Sequence, residues 1–439
     1  MHYEKFQDGT IKCIEDEIPF EVPEGWAWAR LRDICMMSAG KSKSTDQIKS
    51  EPFEGSYPCF GGNGVRGYVD EYNQDGIFSI VGRQGALCGN INIAIGKFYA
   101  TEHAVVTTLF DGIDFKWSNY ILEALRLNNY ATGAAQPGLS VANILNVFVP
   151  VPPTQEQDRI GNNVYESLKI VEALEQEKID LQKIIITAKT KILDLAIRGK
   201  LVPQDPNDEP ASVLLERIRT EKEELIKQGK IKRDKKESVI FKGDDNSYYL
   251  RTDGIEESLE DWRFDDLPET WKLCCLGELC DYGDCINVNT EDIAENAWIL
   301  DLEDIEKDTG TVLKKVTKAQ RNSVSTKHKF HSRQVLYSKL RPYLNKVVLS
   351  DADGYCTSEI LPLEFKNCVL PEYARYYLMS STFIAYANHC SYGVKMPRLG
   401  TTDGKKAIFS LPPLSEQKRI VETIDFCFMQ LNKISEALA

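Results

Sequence analysis

Pro152-Pro153-Thr154-Gln155-Glu156-Gln157-Asp158-Arg159-Ile160 is answered, 260 positions later, by Pro412-Pro413-Leu414-Ser415-Glu416-Gln417-Lys418-Arg419-Ile420. The two stretches share Pro-Pro, Glu-Gln and Arg-Ile in register, and internal duplication of this kind decides the architecture before any local reading does. Working outward, Val22-Pro23-Glu24-Gly25-Trp26 returns as Leu267-Pro268-Glu269-Thr270-Trp271 at an offset of 245, which also relates Tyr3 to Tyr248 and Asp8-Gly9 to Asp253-Gly254. Pro137 and Leu139 match Pro397 and Leu399 at the offset of 260, so about fifteen residues are inserted between the shared ends of the second copy. The ends agree and the interiors diverge. That is the pattern expected when one scaffold is used twice to read different targets.

Each copy closes on a helical pattern. Ile160, Val164, Val171, Leu174, Leu181, Ile185, Ile192 and Leu195 recur at coiled-coil spacing after Pro153, with Lys178 as an irregularity. Thr154 with Gln157 resembles a capping box, and Gly199 with Pro203 marks a stop. A helix from Thr154 to Arg198 would extend about 67 Å. The second copy repeats the seam as Ile420, Ile424, Leu431 and Ile434, over about 37 Å. Antiparallel pairing of the two helices is the preferred reading; a helix packed on its own domain is the alternative.

The chain has 439 residues, 42% hydrophobic and 27% charged, which fits two to four folded domains and excludes collagen-like or wholly disordered classes. Between the helices the sequence reads as mixed α and β. Strands are expected near Gly76 to Val81, Asn90 to Ile95, Ala104 to Phe110, Gln334 to Ser338, Lys346 to Leu349 and Leu361 to Phe365, with helices at Ser118 to Leu127 and Pro371 to Met379. No apolar run approaches the ~18 residues of a membrane span. The N-terminal residues hold no secretory pattern, so a cytoplasmic location is expected. Twelve cysteines without a CxxC pair read as reduced thiols.

The formal net charge of −13 argues at first against a nucleic-acid partner. Thr309 to Ser350 inverts that sign: Lys314, Lys315, Lys318, Arg321, Lys327, Lys329, Arg333, Lys339, Arg341 and Lys346 occur there with no acidic residue. Lys327, Lys329, Arg333, Lys339, Arg341 and Lys346, interleaved with Phe330, Tyr337, Tyr343 and Asn345, form the expected DNA-binding surface of the second copy. Lys41, Lys43, Asn63, Arg66, Arg83, Gln84 and Asn90 form a sparser one in the first copy. A generic basic face is the alternative for both. Lys230 to Glu237 reads as a solvated linker.

Catalytic signatures are missing from the sequence. Gly62-Asn63-Gly64-Val65-Arg66-Gly67 fits GxGxxG in letters, but it precedes a strand-like Tyr68-Val69 instead of a helix and lacks a βαβ setting, so it is read as a Gly-rich turn. There is no phosphate-loop motif and no Asn-Pro-Pro-Tyr or Asp-Pro-Pro-Tyr tetrapeptide for amino methylation. His328 and His331 lack a Cys pair and read as polar surface instead of a zinc site. Carboxylates are dispersed, with no spacing that singles out an acid and base pair. No cofactor and no metal are expected.

The Pro-Glu-x-Trp openings at Pro23 and Pro268, the Pro-Pro-x-x-Glu-Gln-x-x-Ile helix starts at Pro152 and Pro412, and Ile192-Leu193-Asp194-Leu195-Ala196-Ile197-Arg198-Gly199-Lys200-Leu201-Val202-Pro203 resemble the DNA specificity subunits of type I restriction-modification systems. The resemblance spans essentially the whole chain. It implies an α+β protein in which two target recognition domains are separated by long helices forming an antiparallel coiled coil. The implied boundaries are 1–153 for the first recognition domain, 154–200 for the spacer helix, 201–247 for a linker with a short helix near Ser212 to Gln228, 248–413 for the second recognition domain and 414–439 for a short closing helix.

The same resemblance implies double-stranded DNA as ligand, read in two separate halves. It further implies two methyltransferase subunits and restriction subunits as partners, no membrane, and no catalysis by this chain. It places Gly82-Arg83-Gln84-Gly85 and Ser338-Lys339-Leu340-Arg341, aligned at an offset of 256, on the DNA-facing side. The family pattern ends on a second helix as long as the first, whereas residues equivalent to Ile184 through Gly199 would lie beyond Ala439. A coiled-coil adapter that binds only proteins, or a DNA-modifying enzyme using S-adenosylmethionine, are the competing readings from other classes.

Overall fold

A computed structural model of the chain describes residues 2–6, 8–133, 137–230, 238–262, 264, 266–321 and 324–438. The chain divides into two compact units, Met1–Glu177 and Lys178–Ala439. The helix Thr154–Ile197 begins in the first and ends in the second. No helix among the described residues is long and apolar enough to cross a membrane.

The first unit is built on a six-stranded sheet ordered Cys35–Ala39, Ala104–Leu109, Gln74–Gly82, Ile91–Ala100, Tyr57–Gly61 and Gly64–Val69. Alternation along these strands puts Ile80, Ala94, Phe98 and Val106 into the core at 1% exposure or less. The helix Phe115–Ala124 buries Trp117 and Leu122 in the core, and its buried Asn119 takes the Ser79 hydroxyl at 2.8 Å. The Gly-rich sequence Gly62-Asn63 is the two-residue turn between the antiparallel strands Tyr57–Gly61 and Gly64–Val69, and Gly64 has φ +86°, a left-handed conformation natural to glycine.

The second unit carries a three-stranded sheet of Ser238–Lys242, Tyr248–Thr252 and Ile255–Ser258, a pair of Lys272–Cys275 with Ile408–Leu411, and two further sheets that hold the basic segment. One is ordered Ile286–Val288, Lys327–Phe330, Gly354–Thr357, Trp298–Leu300 and Val316–Thr317; the other is ordered Val347–Leu349, Val335–Ser338 and Ile360–Leu363. The segment expected as a basic surface therefore supplies sheet strands, and this corrects several of its residues. Lys327 is 2% exposed, with its ammonium 3.1 Å from the Ser325 hydroxyl and 3.8 Å from Asp301. Phe330 and Tyr337 lie in the core, and Asn345 is 8% exposed with its amide 3.4 Å from the Met379 carbonyl.

Arg321 clamps the fully buried Asp304 through Nη2 at 2.6 and 2.7 Å and reaches Asp301 through Nη1 at 2.6 Å. Lys346 donates to the Leu302 carbonyl at 2.6 Å, Lys315 pairs with Asp351 and Arg333 with Glu372. Acidic side chains from neighbouring loops thus neutralise most of the positive run. His328 is buried with Nδ1 2.8 Å from the Ile360 carbonyl, not on the polar surface expected for it.

The duplicated motifs meet in space within each unit. In the first, Trp26 donates its indole N–H to Glu156 at 3.2 Å, and Gln157 bridges the Asp114 amide at 2.8 Å and the Pro152 carbonyl at 2.9 Å. In the second, Trp271 donates to Glu416 at 2.9 Å, and Gln417 bridges the Leu370 amide at 2.8 Å and the Cys368 carbonyl at 2.9 Å. Gln157 is therefore not a capping-box partner of Thr154; it fastens the N-terminus of the neighbouring helix Phe115–Ala124, as Gln417 does for Pro371–Leu378.

The C-terminal helix Leu414–Ala437 runs antiparallel to the end of the long helix, with Ile197 beside Ser410 and Lys189 beside Asn432 at 2.6 Å. Ile185, Ile420 and Ile424 are buried; Ile192, Leu195 and Leu431 are half-buried. Other expected seam residues lie elsewhere. Ile160 packs on the first unit's core, Val164 is half-buried, and Val171, Leu174, Leu181 and Ile434 are exposed at 48%, 58%, 38% and 45%. The expected seam is longer than the stretch the two helices share.

Glu416 is 1% exposed, and burial holds its carboxyl above the usual range against the two hydrogen bonds that favour the charge, from Trp271 and from Gln204 at 2.5 Å. The native state then binds that proton more tightly than the unfolded chain, so this group's contribution is fully present below the ordinary carboxylate pKa and is lost as pH rises through the raised value. A stability difference curve between wild type and Glu416→Gln over about pH 4–8 is expected to show that decline; a flat curve excludes it. Glu416→Ala strands the indole and the Gln204 amide and is expected to cost about 2–3 kcal/mol in urea unfolding. Arg321→Ala removes the two short guanidinium contacts from the buried Asp304 and leaves it, among the described residues, only Lys314 at 3.7 Å and the Asp301 amide, and a loss of about 3 kcal/mol is expected; a loss below about 1 kcal/mol would contradict the structural role given to that pair.

Candidate nucleic-acid interface

One loop is built twice. Residues 82–90 in the first unit leave the strand Gln74–Gly82 and close through a hydrogen bond from the Gly82 amide to the Asn90 carbonyl, 2.9 Å. Residues 338–346 leave the strand Val335–Ser338 and close through the Ser338 amide and Lys346 carbonyl, 3.1 Å. Two positions in each loop require the left-handed conformation. They are Gly85 (φ +94°) and Gly89 (φ +86°) in the first, and Arg341 (φ +50°) and Asn345 (φ +48°) in the second. Glycine adopts this conformation freely and asparagine tolerates it, whereas Arg341 holds it because the surrounding structure imposes it, and such strain concentrates at functional loops.

The same main-chain bonds hold both loops. The Arg83 amide donates to the His103 carbonyl (2.9 Å) as the Lys339 amide does to Glu359 (3.0 Å). The Arg83 carbonyl accepts from Leu139 (2.8 Å) as that of Lys339 does from Leu399 (3.0 Å), and Gly85 donates to Pro137 (3.0 Å) as Arg341 does to Pro397 (2.7 Å). A second loop is thereby docked beside the first. It is closed by paired amides and carbonyls of Thr132 and Gly138 in one unit and of Tyr392 and Arg398 in the other. Residues 134–136, between Thr132 and Gly138 in sequence, lie outside the described residues.

In the first unit the expected residues come together around a cavity of about 620 Å³ whose lining includes Asn63, Arg66, Gln84 and His103. Asn90 donates to Asn63 across its rim at 3.0 Å, and Arg66 donates to Thr45 at 3.0 Å. Arg83 and Gln84 also border an adjoining depression with Thr132 and Gly138. Gly82 is required here because a Cβ would lie 2.0 Å from the Gly62 carbonyl oxygen. Lys41 is exposed, whereas Lys43 pairs with Glu71 at 2.6 Å, a contact that raises its pKa and leaves less charge for a phosphate.

In the second unit, Lys339, Arg341 and Tyr343 are what remains of the expected surface at the loop, with Tyr343 47% exposed, as its counterpart Leu87 is at 54%. Among the described residues neither Lys339 nor Arg341 has a carboxylate within ion-pair distance, and the Arg341 Nε is buried without a hydrogen-bond partner. Lys329 is half-buried, on a strand beside Ile286 and Tyr355. Arg333, Lys346, Lys327 and Asn345 make the internal contacts described above and do not join this cluster.

Sequence reasoning missed His103, Glu359 and the docked loops, although the paired Pro137 and Leu139 against Pro397 and Leu399 marked where the loops end. The arrangement offers hydrogen-bond donors and an exposed Leu87 or Tyr343 on each loop, with Arg83 as the cation of the first and Lys339 and Arg341 as those of the second. It can present side chains to base edges and phosphates.

A family profile described as "Type I restriction modification DNA specificity domain" matches residues 23–188 and again 268–437. The EcoprrI specificity subunit of Escherichia coli is 45% identical over 151 residues, a match that covers 34% of this chain and 36% of that protein. The EcoAI specificity subunit of Escherichia coli is 25% identical over 98% of this chain and 82% of its own length. The crystal structure of the HsdS subunit from Thermoanaerobacter tengcongensis shares the fold at a TM-score of 0.53 and 15% identity, covering 96% of this chain and 94% of that one. With the matched domain present twice and each copy carrying the same loop, the chain belongs to the family of type I restriction-modification DNA specificity subunits.

Proposed function

We propose that this chain is the non-catalytic DNA-reading subunit of a cytoplasmic restriction-modification complex. In this reading each unit inspects one half of an asymmetric, bipartite duplex target. The recognition domains are residues 1–153 and 248–413, the spacer helix is 154–200, the linker is 201–247 and the closing helix is 414–439. Two methyltransferase subunits and the restriction subunits assemble on it. The antiparallel helices fix how many base pairs separate the two halves.

The observation that carries the reading is the loop held by identical main-chain bonds in both units yet bearing different side chains: Arg83 against Lys339, Gln84 against Leu340, His103 against Glu359. A shared backbone keeps the presentation constant while the chemistry read by each unit changes, as two-part recognition requires. The acidic whole does not oppose this, because phosphate attraction is screened beyond about 10 Å at 0.1 M salt and only nearby cations matter.

Binding of the full chain to a randomised duplex library at about 150 mM salt, followed by selection, tests the reading. A two-part consensus is the expected result; retention without sequence preference favours a protein adapter instead. Lys339→Ala combined with Arg341→Ala is expected to weaken binding to the selected duplex at least several-fold. It should also reduce the salt slope by ~0.9 for each phosphate that is no longer neutralised. Unchanged affinity and slope would remove these residues from the interface. Exchanging Trp271 to Phe409 for the same span of another family member is expected to alter one half of the consensus only; a change in both halves rules out two independent readers.

A further inference from the structure

Arg398 is the one side chain of the docked loop in the second unit that is both oriented and open to solvent. It ends a tight loop whose residues Tyr392, Val394 and Met396 are 62%, 101% and 44% exposed, and its amide and carbonyl are both bonded to Tyr392. Its guanidinium is fixed by Glu359: Nε lies 3.1 Å from both carboxylate oxygens and Nη2 lies 2.8 Å from Oε1. Nη1 lies 3.3 Å from the Met396 carbonyl. A guanidinium has five N–H groups, and these contacts use one on each nitrogen. One N–H on each terminal nitrogen remains beyond these contacts.

The pair is not a stabilising ion pair of any size. Both partners are partly exposed, at 31% and 24%, and pairs of that kind contribute little to folding. What the carboxylate does is remove rotamer freedom from a long side chain beside Lys339, whose carbonyl and amide are bonded to Leu399 and to Glu359 itself. A planar guanidinium fixed by a carboxylate, with a donor left on each terminal nitrogen, matches the O6 and N7 acceptors that guanine presents in the major groove. The first unit has Gly138 and His103 at the equivalent positions, so it has no such fork.

Resting on the DNA-reading role above, we propose that Arg398 is a specificity-determining residue that recognises a guanine in the second unit's half-site, with Glu359 as its positioning residue.

Selection from a randomised duplex library with the full wild-type chain, then with Arg398→Ala, Arg398→Lys and Glu359→Gln, tests the assignment. The expected result is a G·C requirement at one position of one half-site that falls roughly ten-fold or more in Arg398→Ala. Arg398→Lys keeps the charge but not the fork, and is expected to lose the same preference. Glu359→Gln should give a partial loss at that position alone. The other half-site stays unchanged in all three. Retention of every base preference in Arg398→Ala or Arg398→Lys overturns the proposal, and so does a uniform loss across both half-sites, which would mark a purely structural role. A wild-type chain that selects no sequence would instead overturn the DNA-reading role on which the proposal rests.

Discussion

An indole N–H bonded to a carboxylate at the first turn of each long helix ties together the parts of this protein that recur. Trp26 and Glu156, like Trp271 and Glu416, lie 130 and 145 residues apart in the chain. Each contact joins the opening of a unit to its closing helix. The adjoining glutamine completes the junction by satisfying main-chain groups at the end of a helix that would otherwise be orphaned. Buried polar groups are tolerable only when every partner is present. Loss of one member therefore exposes several unsatisfied groups together, which explains why the Pro-Glu-x-Trp and Pro-Pro-x-x-Glu-Gln sequences occur as a set in both halves.

The duplication, the long helix and the six interior strands expected could be read from residue pattern alone, because periodicity and repeated motifs are local or one-dimensional signals, whereas strands such as Ser238–Lys242, Tyr248–Thr252 and Lys272–Cys275 were not. The helix Thr154–Ile197 ends one residue before the expected boundary at Arg198. The strand Gln74–Gly82 contains the run expected from Gly76 to Val81. The basic segment misled for a physical reason: its counter-charges, Asp301, Asp304, Asp351 and Glu372, lie outside it in sequence and reach it only after folding. Composition could not separate Lys339, which stays unpaired among the described residues, from Lys327, which sits in a strand interior. Glu359 and Arg398 carried no local signature at all, since their meaning arises from a pairing across 39 residues.

The charge distribution follows the same logic. In a chain of net charge −13, Lys339 and Arg341 stay free of carboxylate partners among the described residues while Arg321 and Lys327 are neutralised. The second unit does this by placing Arg321 and Lys327 inside a carboxylate cluster, where their role is to fold the chain. Discrimination then depends on a few oriented groups in preference to a broad positive field, which suits a reader that has to release sites differing by a single base pair.

Because the loops at 82–90 and 338–346 are anchored through amides and carbonyls, the identity of their outward side chains is decoupled from their conformation. Glycine at 85 and 89 does conformationally what arginine and asparagine do at 341 and 345. Such a frame lets outward residues change by point substitution while the main-chain bonds stay in place, and it makes each nine-residue segment a transplantable cassette. Innovation in what is recognised is thereby separated from the risk of losing the protein that does the recognising.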